Sequence, residues 1–250
     1  MYTGFRLRPN YSHRATERSI HLMTTDLAAK FAELGPWIFQ FDIGGKPHGG
    51  GISAAGDPRV DWFFRFAPGV TSILELGALE GAHTFLLAEH PGVKRVVAVE
   101  GREANLRKAR FVRELLGIRN VEFAQANLEE ADLAQFGHFD AVFCCGLLYH
   151  LPEPWRLLEQ LAAVAPTLFI WTQYAAEEGA QDLGNGLRGK TYIEGGADEP
   201  LSGMSATATW LTLPSLRDLL RDSGYKSVDV IDDDPAHPNG PAVTIGARSG

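Results

Sequence analysis

From about residue 70 onward, short apolar runs alternate with segments in which apolar residues return every three or four positions. The runs predict strands near 72–76, 94–99, 120–125, 139–144 and 166–173. The periodic segments predict helices near 81–89, 102–116 and 154–163, with 127–137 helical only in part. Strands separated by helices imply parallel β-α-β units wound on both faces of one sheet. The fourth run, with Phe139, Ala141, Val142 and Phe143, is nearly continuous, as a strand buried on both faces requires. Pro214 and Gly224 bracket a further helix near 214–223. Two last runs, Ser227–Ile231 and Ala242–Ala247, are joined by the polar loop Asp232–Pro241, which has no room for a crossover helix. They predict an antiparallel hairpin at the sheet edge. The pattern as a whole is α/β: a doubly wound, mostly parallel seven-stranded sheet with a C-terminal antiparallel hairpin.

Two segments break this rhythm. Residues 1–69 are expected to form an N-terminal cap ahead of a domain over 70–250. Within the cap, Ile20, Met23, Leu27, Phe31 and Leu34 give Arg14–Leu34 the spacing of an amphipathic helix. That helix would pack on its own domain or on a second copy of the chain, a route to a homodimer. Trp37–Ile43 is an aromatic, strand-like run followed by a loose GGKPHGGG. The second segment, 174–209, is irregular and rich in Gly, Ser and Thr, and reads as a lid inserted in the domain.

The first strand closes on Glu75 and continues through Leu76 into Gly77-Ala78-Leu79-Glu80-Gly81 and a helix; the second strand ends in Glu100, 25 residues after Glu75. This is a nucleotide-type corner. Gly77 lets the backbone pass close to a ligand, Gly81 lets helix and strand approach, and the carboxylate of Glu100 suits the two hydroxyls of a ribose. A pyrophosphate binder has three glycines as G-x-G-x-x-G. Here there are two, and Glu75 and Glu80 are expected to set negative charge beside the loop, which suits a cationic ligand.

E-x-G-x-x-x-G followed by an acidic strand end resembles the first two motifs of the class I S-adenosylmethionine-dependent methyltransferases, whose cofactor carries an amino group and a sulfonium but no phosphate. The run FDAVFCCGLLYHLPEP after the fourth strand is similar to a form frequent in one large subgroup, which spans small-molecule methyltransferases and a tRNA wobble-uridine modifying enzyme. The resemblance covers about residues 70–247 and implies a Rossmann-like domain binding S-adenosyl-L-methionine. It implies that the backbone from Glu75 through Leu76 and Gly77 to Ala78 lines the methionine half of the cofactor, with Gly81 behind it. Glu100 would grip the ribose, with Gly101 and Arg102 beside the adenosine. Asn127 would meet the adenine amino group and the Leu128 N–H the ring, although Asn127 also fits a plain turn asparagine. Cys144, Cys145 and Gly146 would face the methionine portion.

Methyl transfer is an in-line displacement, so positioning supplies much of the rate and a base is needed only where the acceptor must lose a proton. His150 and Tyr149 are the catalytic candidates: a histidine suits proton abstraction near neutral pH, and Tyr149 would orient the acceptor or close on the cofactor. His150 fits equally a packed residue before Pro152. His83, in the first turn of its helix, is expected on the cofactor side or as a structural residue. Trp171, Gln173 and Tyr174 should face the same mouth, and Phe39, Phe41, Lys46 and His48 are further candidates in the cap. Asp42, Asp57 and Arg59 carry no assignable signal.

Composition narrows the choice of partner. The net charge of −8 over 250 residues argues against a strong nonspecific grip on nucleic acid. A local basic run, Arg102, Arg107, Lys108, Arg110, Arg113 and Arg119, reads as a solvated helix face. Adjacent Cys144 and Cys145 make no disulfide framework, and no His/Asp/Glu group has metal-ligand spacing, so no metal is expected. No run approaches membrane-spanning length and no leader pattern opens the chain, so a cytoplasmic protein without membrane contact is expected. The leading expectation is methyl transfer to an oxygen or nitrogen of a small-molecule acceptor. The alternatives are an RNA-modifying enzyme, a methyltransferase fold kept as a non-catalytic binding subunit, and a nicotinamide oxidoreductase, which the missing third glycine disfavours.

Overall fold

The computed structural model describes residues 27–196 and 199–250. The chain divides into two compact units, one up to Ile52 and one from Ser53 to Gly250. The first contains helix α1 (27–34) and strands β1 (Phe39–Ile43), β2 (Lys46–Gly49) and β3 (Ile52–Ser53, at the boundary) in the order β2-β1-β3. The part of the expected amphipathic helix before residue 27 lies outside the described residues. Phe31 is the centre of the first unit: its ring stacks on His48 and tilts against Trp37, whose indole N–H donates to the Phe31 carbonyl at 2.6 Å. The stretch read as loose instead pairs with β1, Phe41 opposite His48, after a turn closed by the Gly45 N–H on Asp42.

The second unit opens with α2 (Pro58–Phe66), started by Asp57, whose carboxylate accepts the Arg59 N–H, and by proline in the first turn. Then follow β4 (Ser72–Leu76), α3 (Ala82–Glu89), β5 (Arg95–Glu100), α4 (Glu103–Leu116), β6 (Val121–Gln125), β7 (Ala141–Cys145), α5 (Pro154–Val164) and β8 (Thr167–Gln173). The segment after β8 carries β9 (Gln181–Gly184), β10 (Leu187–Ile193) and β11 (Thr207–Leu211); α6 (Leu213–Asp222), β12 (Ser227–Asp234) and β13 (Ala242–Arg248) complete the chain. The main sheet runs β12-β13-β8-β7-β4-β5-β6. The five strands from β8 to the β6 edge are parallel, while β13 lies antiparallel between β8 and β12. This is the doubly wound sheet and edge hairpin the sequence predicts.

Alternation along the strands builds two cores. Leu74, Val97, Val142, Leu168 and Ile170 face α5 and α6 through Leu157, Leu161, Leu216 and Leu220. Ile73, Val96, Phe143 and Phe169 face the other way, against Phe63 of α2 and Leu87 of α3. Because the chain steps from β4 outward to β6 and then returns to β7 on the other side of β4, the switch point of the sheet falls at the carboxyl ends of β4 and β7, the crevice position where ligands bind in such sheets. The segment 174–209 departs from the irregular reading. It forms an antiparallel sheet ordered β11-β10-β9, joined to α6 by the Thr212 N–H donating to the Arg188 carbonyl.

The unit boundary places α2 with the sheet, and Phe63 carries that attachment: it is fully buried and meets the rings of Phe143 and Phe169 edge-on at 5.3 and 5.7 Å. Phe63→Ala is expected to lower stability by about 3–5 kcal/mol, read as a fall in the urea midpoint of the sheet unit; a change below about 1 kcal/mol would mean that α2 is not part of that core.

Candidate active site

Four elements end at the crevice. At the end of β4 the chain turns through Gly77 (φ +79°), Leu79 (φ +50°) and Gly81 (φ +85°) into α3. A side chain at Gly77 would meet Leu147 at 3.0 Å, and one at Gly81 would meet Phe85 at 3.0 Å and Ala109 at 3.2 Å, so both positions need glycine for space as well as conformation. The Gly77 and Ala78 N–H groups donate to the Val99 carbonyl at 2.9 and 3.1 Å. Leu79 N–H donates to one oxygen of Glu100 at 2.9 Å, and the Arg102 N–H donates to the other at 2.9 Å, with the Asn105 amide beside it. Glu100 thus ties together the turns that follow β4 and β5.

Glu75 is buried at the floor of this corner, its Oε2 enclosed without a hydrogen-bond partner. Burial pushes its carboxyl up to about 8. The nearby Thr84 hydroxyl opposes the rise without completing a hydrogen bond, and the charge of Glu100 adds to it. Glu80 behaves differently from its expected role: it is fully buried and pairs with Lys108 of α4 at 2.8 Å, so its charge is neutralised on the far side of the loop.

Beyond β6, Asn127 closes a turn, its Oδ1 accepting the Glu129 N–H at 3.1 Å, while the Leu128 side chain is buried in the core. Beyond β7, Gly146 lies under the Tyr149 hydroxyl, 3.9 Å from where its Cβ would be. Burial pushes the Tyr149 phenol up to about 12, against the pull of Arg59, so it keeps its proton and serves as a donor. His150 Nδ1 lies 3.1 Å from both oxygens of Glu194. Burial works to raise the Glu194 carboxyl, but bonds from Ser202, the Gly203 N–H and His150 outweigh it and hold it below the usual range. Cys144 and Cys145 are buried, and burial raises both thiols, that of Cys144 to about 12, so neither offers a thiolate.

On the side of the crevice away from Glu100, the Arg59 guanidinium lies 4.7 Å over the Trp171 ring and donates through Nε to Asp57 at 2.9 Å. His83 Nε2 meets the other Asp57 oxygen at 2.9 Å, and its ring packs edge-on against Phe143. Burial would raise the Asp57 carboxyl, yet His83 and Arg59 together hold it well below the ordinary carboxylate range. Tyr149 meets Trp171 and Trp210 edge-on, and Tyr192 of β10 stacks on Trp210 at 4.0 Å. Of the expected β8 residues only Trp171 joins this cluster directly. Gln173 turns to the Asn239 carbonyl and Tyr174 to Asp233 of β12. Phe39, Phe41, Lys46 and His48 belong to the other unit.

The loop between β10 and β11 is bound to the corner. Arg102 Nη2 donates to the carbonyls of Ser202 (2.8 Å) and Gly203 (3.2 Å), and Glu129 accepts the Ser205 N–H and hydroxyl. The basic run of α4 therefore does not form one solvated face. Lys108 is buried against Glu80, Arg110 pairs with Glu103, Arg113 lies over Phe123, and Arg102 holds that loop. Among the described residues no cluster of His, Cys, Asp or Glu could hold a metal, and no helix is long and apolar enough to cross a membrane.

A family model for a methyltransferase domain matches residues 69–177, the stretch from the start of β4 past the end of β8. Over nearly its whole length the chain is similar to the N-terminal domain of EvdMO1. Two crystal structures of that domain, one with S-adenosylhomocysteine bound and one in the presence of S-adenosylhomocysteine and D-fucose, share 33% identity, cover 97% of this chain and 100% of theirs, and superpose with TM-scores of 0.82 and 0.81. The chain belongs to the class I S-adenosylmethionine-dependent methyltransferases. It covers 49% of the longer EvdMO1 chain, at 32% identity and TM-score 0.71. Shorter likenesses link it to chemotaxis protein methyltransferase 2 of Pseudomonas aeruginosa (39% over 74 residues, 29% of this chain) and to ubiquinone biosynthesis O-methyltransferase of Acinetobacter baylyi (29% over 105 residues, 40% of this chain). The chain spans 26% and 42% of the length of those two relatives.

The corner fits the methyltransferase cofactor. The partnerless, enclosed Glu75 oxygen is an acceptor awaiting a donor, and a cation beside it would favour its ionised form. Asp57, Arg59 and Glu194 lie among the candidate residues without having been singled out by the sequence. The readable signal for the first two was the helix start Asp57-Pro58; Glu194 has none, since its partners are Ser202, Gly203 and His150.

Glu75 also sets a pH dependence. A carboxyl raised from 4.5 to about 8 holds its proton in the folded state where the unfolded chain has lost it, so stability falls as pH rises between those values. Urea midpoints of the wild type are therefore expected to decline from pH 5 to pH 8 more steeply than those of Glu75→Gln. Parallel pH profiles would show that Glu75 is ionised in the folded protein throughout.

Proposed function

We propose that this chain transfers a methyl group from S-adenosylmethionine to an oxygen or nitrogen of a small-molecule acceptor. The observation that carries the reading is the Glu75–Gly77–Glu100 corner at the mouth between β4 and β7, facing a second, aromatic-walled group of donors on the acceptor side. When bound, the cofactor supplies an electrophilic methyl on a sulfonium with a neutral thioether as leaving group. In this reading Glu100 takes the ribose hydroxyls with its remaining lone pairs, and Glu75 receives the amino group. The backbone from Leu76 to Ala78, together with Cys145 and Gly146, lines the methionine portion. Gly101, Asn127 and Leu128 border the adenosine, and Gly81 and His83 brace the turn behind it.

His150 is the proton acceptor of the reading. Glu194 engages Nδ1 and thereby favours the tautomer with its proton there, which leaves Nε2 as the basic atom toward an acceptor hydroxyl. Tyr149, a neutral phenol, orients that hydroxyl by donating to it. Oxygen is favoured over nitrogen by the related EvdMO1 domain, crystallised in the presence of D-fucose, a sugar that offers only oxygen nucleophiles. The lid from β9 to β11, held by Arg102 and Glu129, would exclude water from the sulfonium.

Calorimetric titration of S-adenosylhomocysteine into the wild type and Glu100→Ala tests the cofactor side, with NAD as the control ligand. Loss of a charge-assisted contact is expected to cost about 1.5–3 kcal/mol, about ten- to 150-fold in affinity. Equal affinity in the two proteins would remove Glu100 from the site, and NAD binding in place of S-adenosylhomocysteine would overturn the reading.

A further inference from the structure

The Asp57–Arg59 pair has a geometry that exceeds what starting a helix requires. Nε and Nη2 of Arg59 are committed to Asp57, and the guanidinium plane is set by the Trp171 ring 4.7 Å beneath it. Nη1 makes no hydrogen bond among the described residues, and the side chain keeps a quarter of its surface exposed. Asp57 is in turn held by His83 at 2.9 Å, through the oxygen that Nη2 also contacts. The guanidinium is therefore a rigid fork whose outer N–H groups are still available, placed beside Tyr149 and the end of β7. Trp171 and the neighbouring Tyr149 supply ring surfaces beside it, and the rings continue from Tyr149 to Trp210 and Tyr192.

Charge decides which acceptor such a fork suits. Arg59 is neutralised by the carboxylate it grips; of the other charged groups, Arg102 lies on the Glu100 side with its guanidinium on the Ser202 and Gly203 carbonyls, and Glu100 and the Glu194–His150 pair add no net positive charge. An acceptor carrying a carboxylate or phosphate would meet no uncompensated cation and would lose its hydration for little return. A neutral polyol ring would gain directional donors for its hydroxyls and apolar ring faces for its C–H surface. We propose, resting on the methyltransferase reading above, that Arg59 anchors a neutral, hydroxyl-rich acceptor of the pyranose type, and that Asp57 is the positioning residue that both orients Arg59 and cancels its charge.

The test uses the protein saturated with S-adenosylhomocysteine and follows the Arg59 Nε–H resonance, assigned by its absence in Arg59→Lys, together with ligand-observed NMR. D-fucose is the neutral probe and D-galacturonate its anionic counterpart. The wild type is expected to bind D-fucose saturably and D-galacturonate at least about tenfold more weakly, and Arg59→Lys to weaken D-fucose by about tenfold or more. Asp57→Asn, which keeps the helix cap but frees the cation, is expected to reverse the preference toward D-galacturonate. Thermal melts confirm that both variants are folded, and unchanged S-adenosylhomocysteine affinity in them separates this site from the cofactor corner. The proposal is overturned by a wild type that does not bind D-fucose or prefers D-galacturonate, by an Arg59→Lys protein with wild-type D-fucose affinity, or by an Asp57→Asn protein whose preference is unmoved. Failure of the wild type to bind S-adenosylhomocysteine would instead overturn the methyltransferase reading itself.

Discussion

One carboxylate holds the crevice together. Glu100 ends β5, and its two oxygens accept the backbone N–H of Leu79 from the turn after β4 and of Arg102 from the turn after its own strand. Both turns must reverse the chain within a few residues at the carboxyl edge of a parallel sheet, where the ladder no longer supplies partners for N–H groups. Fixing them to a common acceptor sets the spacing of α3 and α4 over that edge. It also explains the left-handed backbone at Leu79, unfavourable by about 1 kcal/mol or more for a residue with a side chain. That conformation persists because neighbouring N–H groups on both sides are already tied, Ala78 to Val99 and Gly81 to Ala78. Arg102 extends the same constraint outward, its backbone on Glu100 and its guanidinium on the Ser202 carbonyl, so the corner and the loop between β10 and β11 share a residue.

The sheet was legible in the sequence because its strands are buried on both faces and its helices on one, and those two conditions write different periods into the chain. Even the antiparallel return of β13 could be read, from a loop too short to hold a crossover helix. Strands β9 and β10 could not. Gln181–Gly184 is mostly exposed and Leu187–Ile193 has only Gly189 buried, so neither shows a regular apolar face, and their pairing is carried by backbone hydrogen bonds to which any polar sequence contributes. The first glycine-rich turn hid a hairpin for the same reason.

Side-chain chemistry divided along a similar line. Glu75, Gly77, Gly81 and Glu100 stand at fixed offsets within one β-α-β unit, so local spacing is enough to single them out as candidates. Asp57, Arg59 and Glu194 acquire their roles from contacts made across the fold: Asp57 meets His83 26 residues away, and Glu194 meets His150 44 residues away. Nothing in a local pattern encodes such a pair. Glu80 shows the converse hazard. Its place inside the corner suggested a charge offered to the ligand, whereas the fold sends it to Lys108, 28 residues on, in a buried ion pair.

The donors of the corner explain why it suits a cationic cofactor rather than a phosphate. A pyrophosphate site aims several loop N–H groups at the ligand. Here the N–H groups of Gly77 and Ala78 are taken by Val99, that of Leu79 by Glu100 and that of Gly81 by Ala78. These four N–H groups are closed on the protein's own acceptors, so they form no cradle for an anion. The acidic groups around the crevice are likewise matched, Glu80 with Lys108, Asp57 with Arg59 and His83, Glu194 with His150. Glu75 is the exception among them, a buried carboxyl that makes no hydrogen bond within the described residues and holds its proton for want of a counter-charge. A ligand that brings a positive charge and N–H donors completes that group, and a ligand that brings a phosphate leaves it as it was. The selectivity of the corner thus rests less on the number of its glycines than on which of its polar groups the fold has left unmatched.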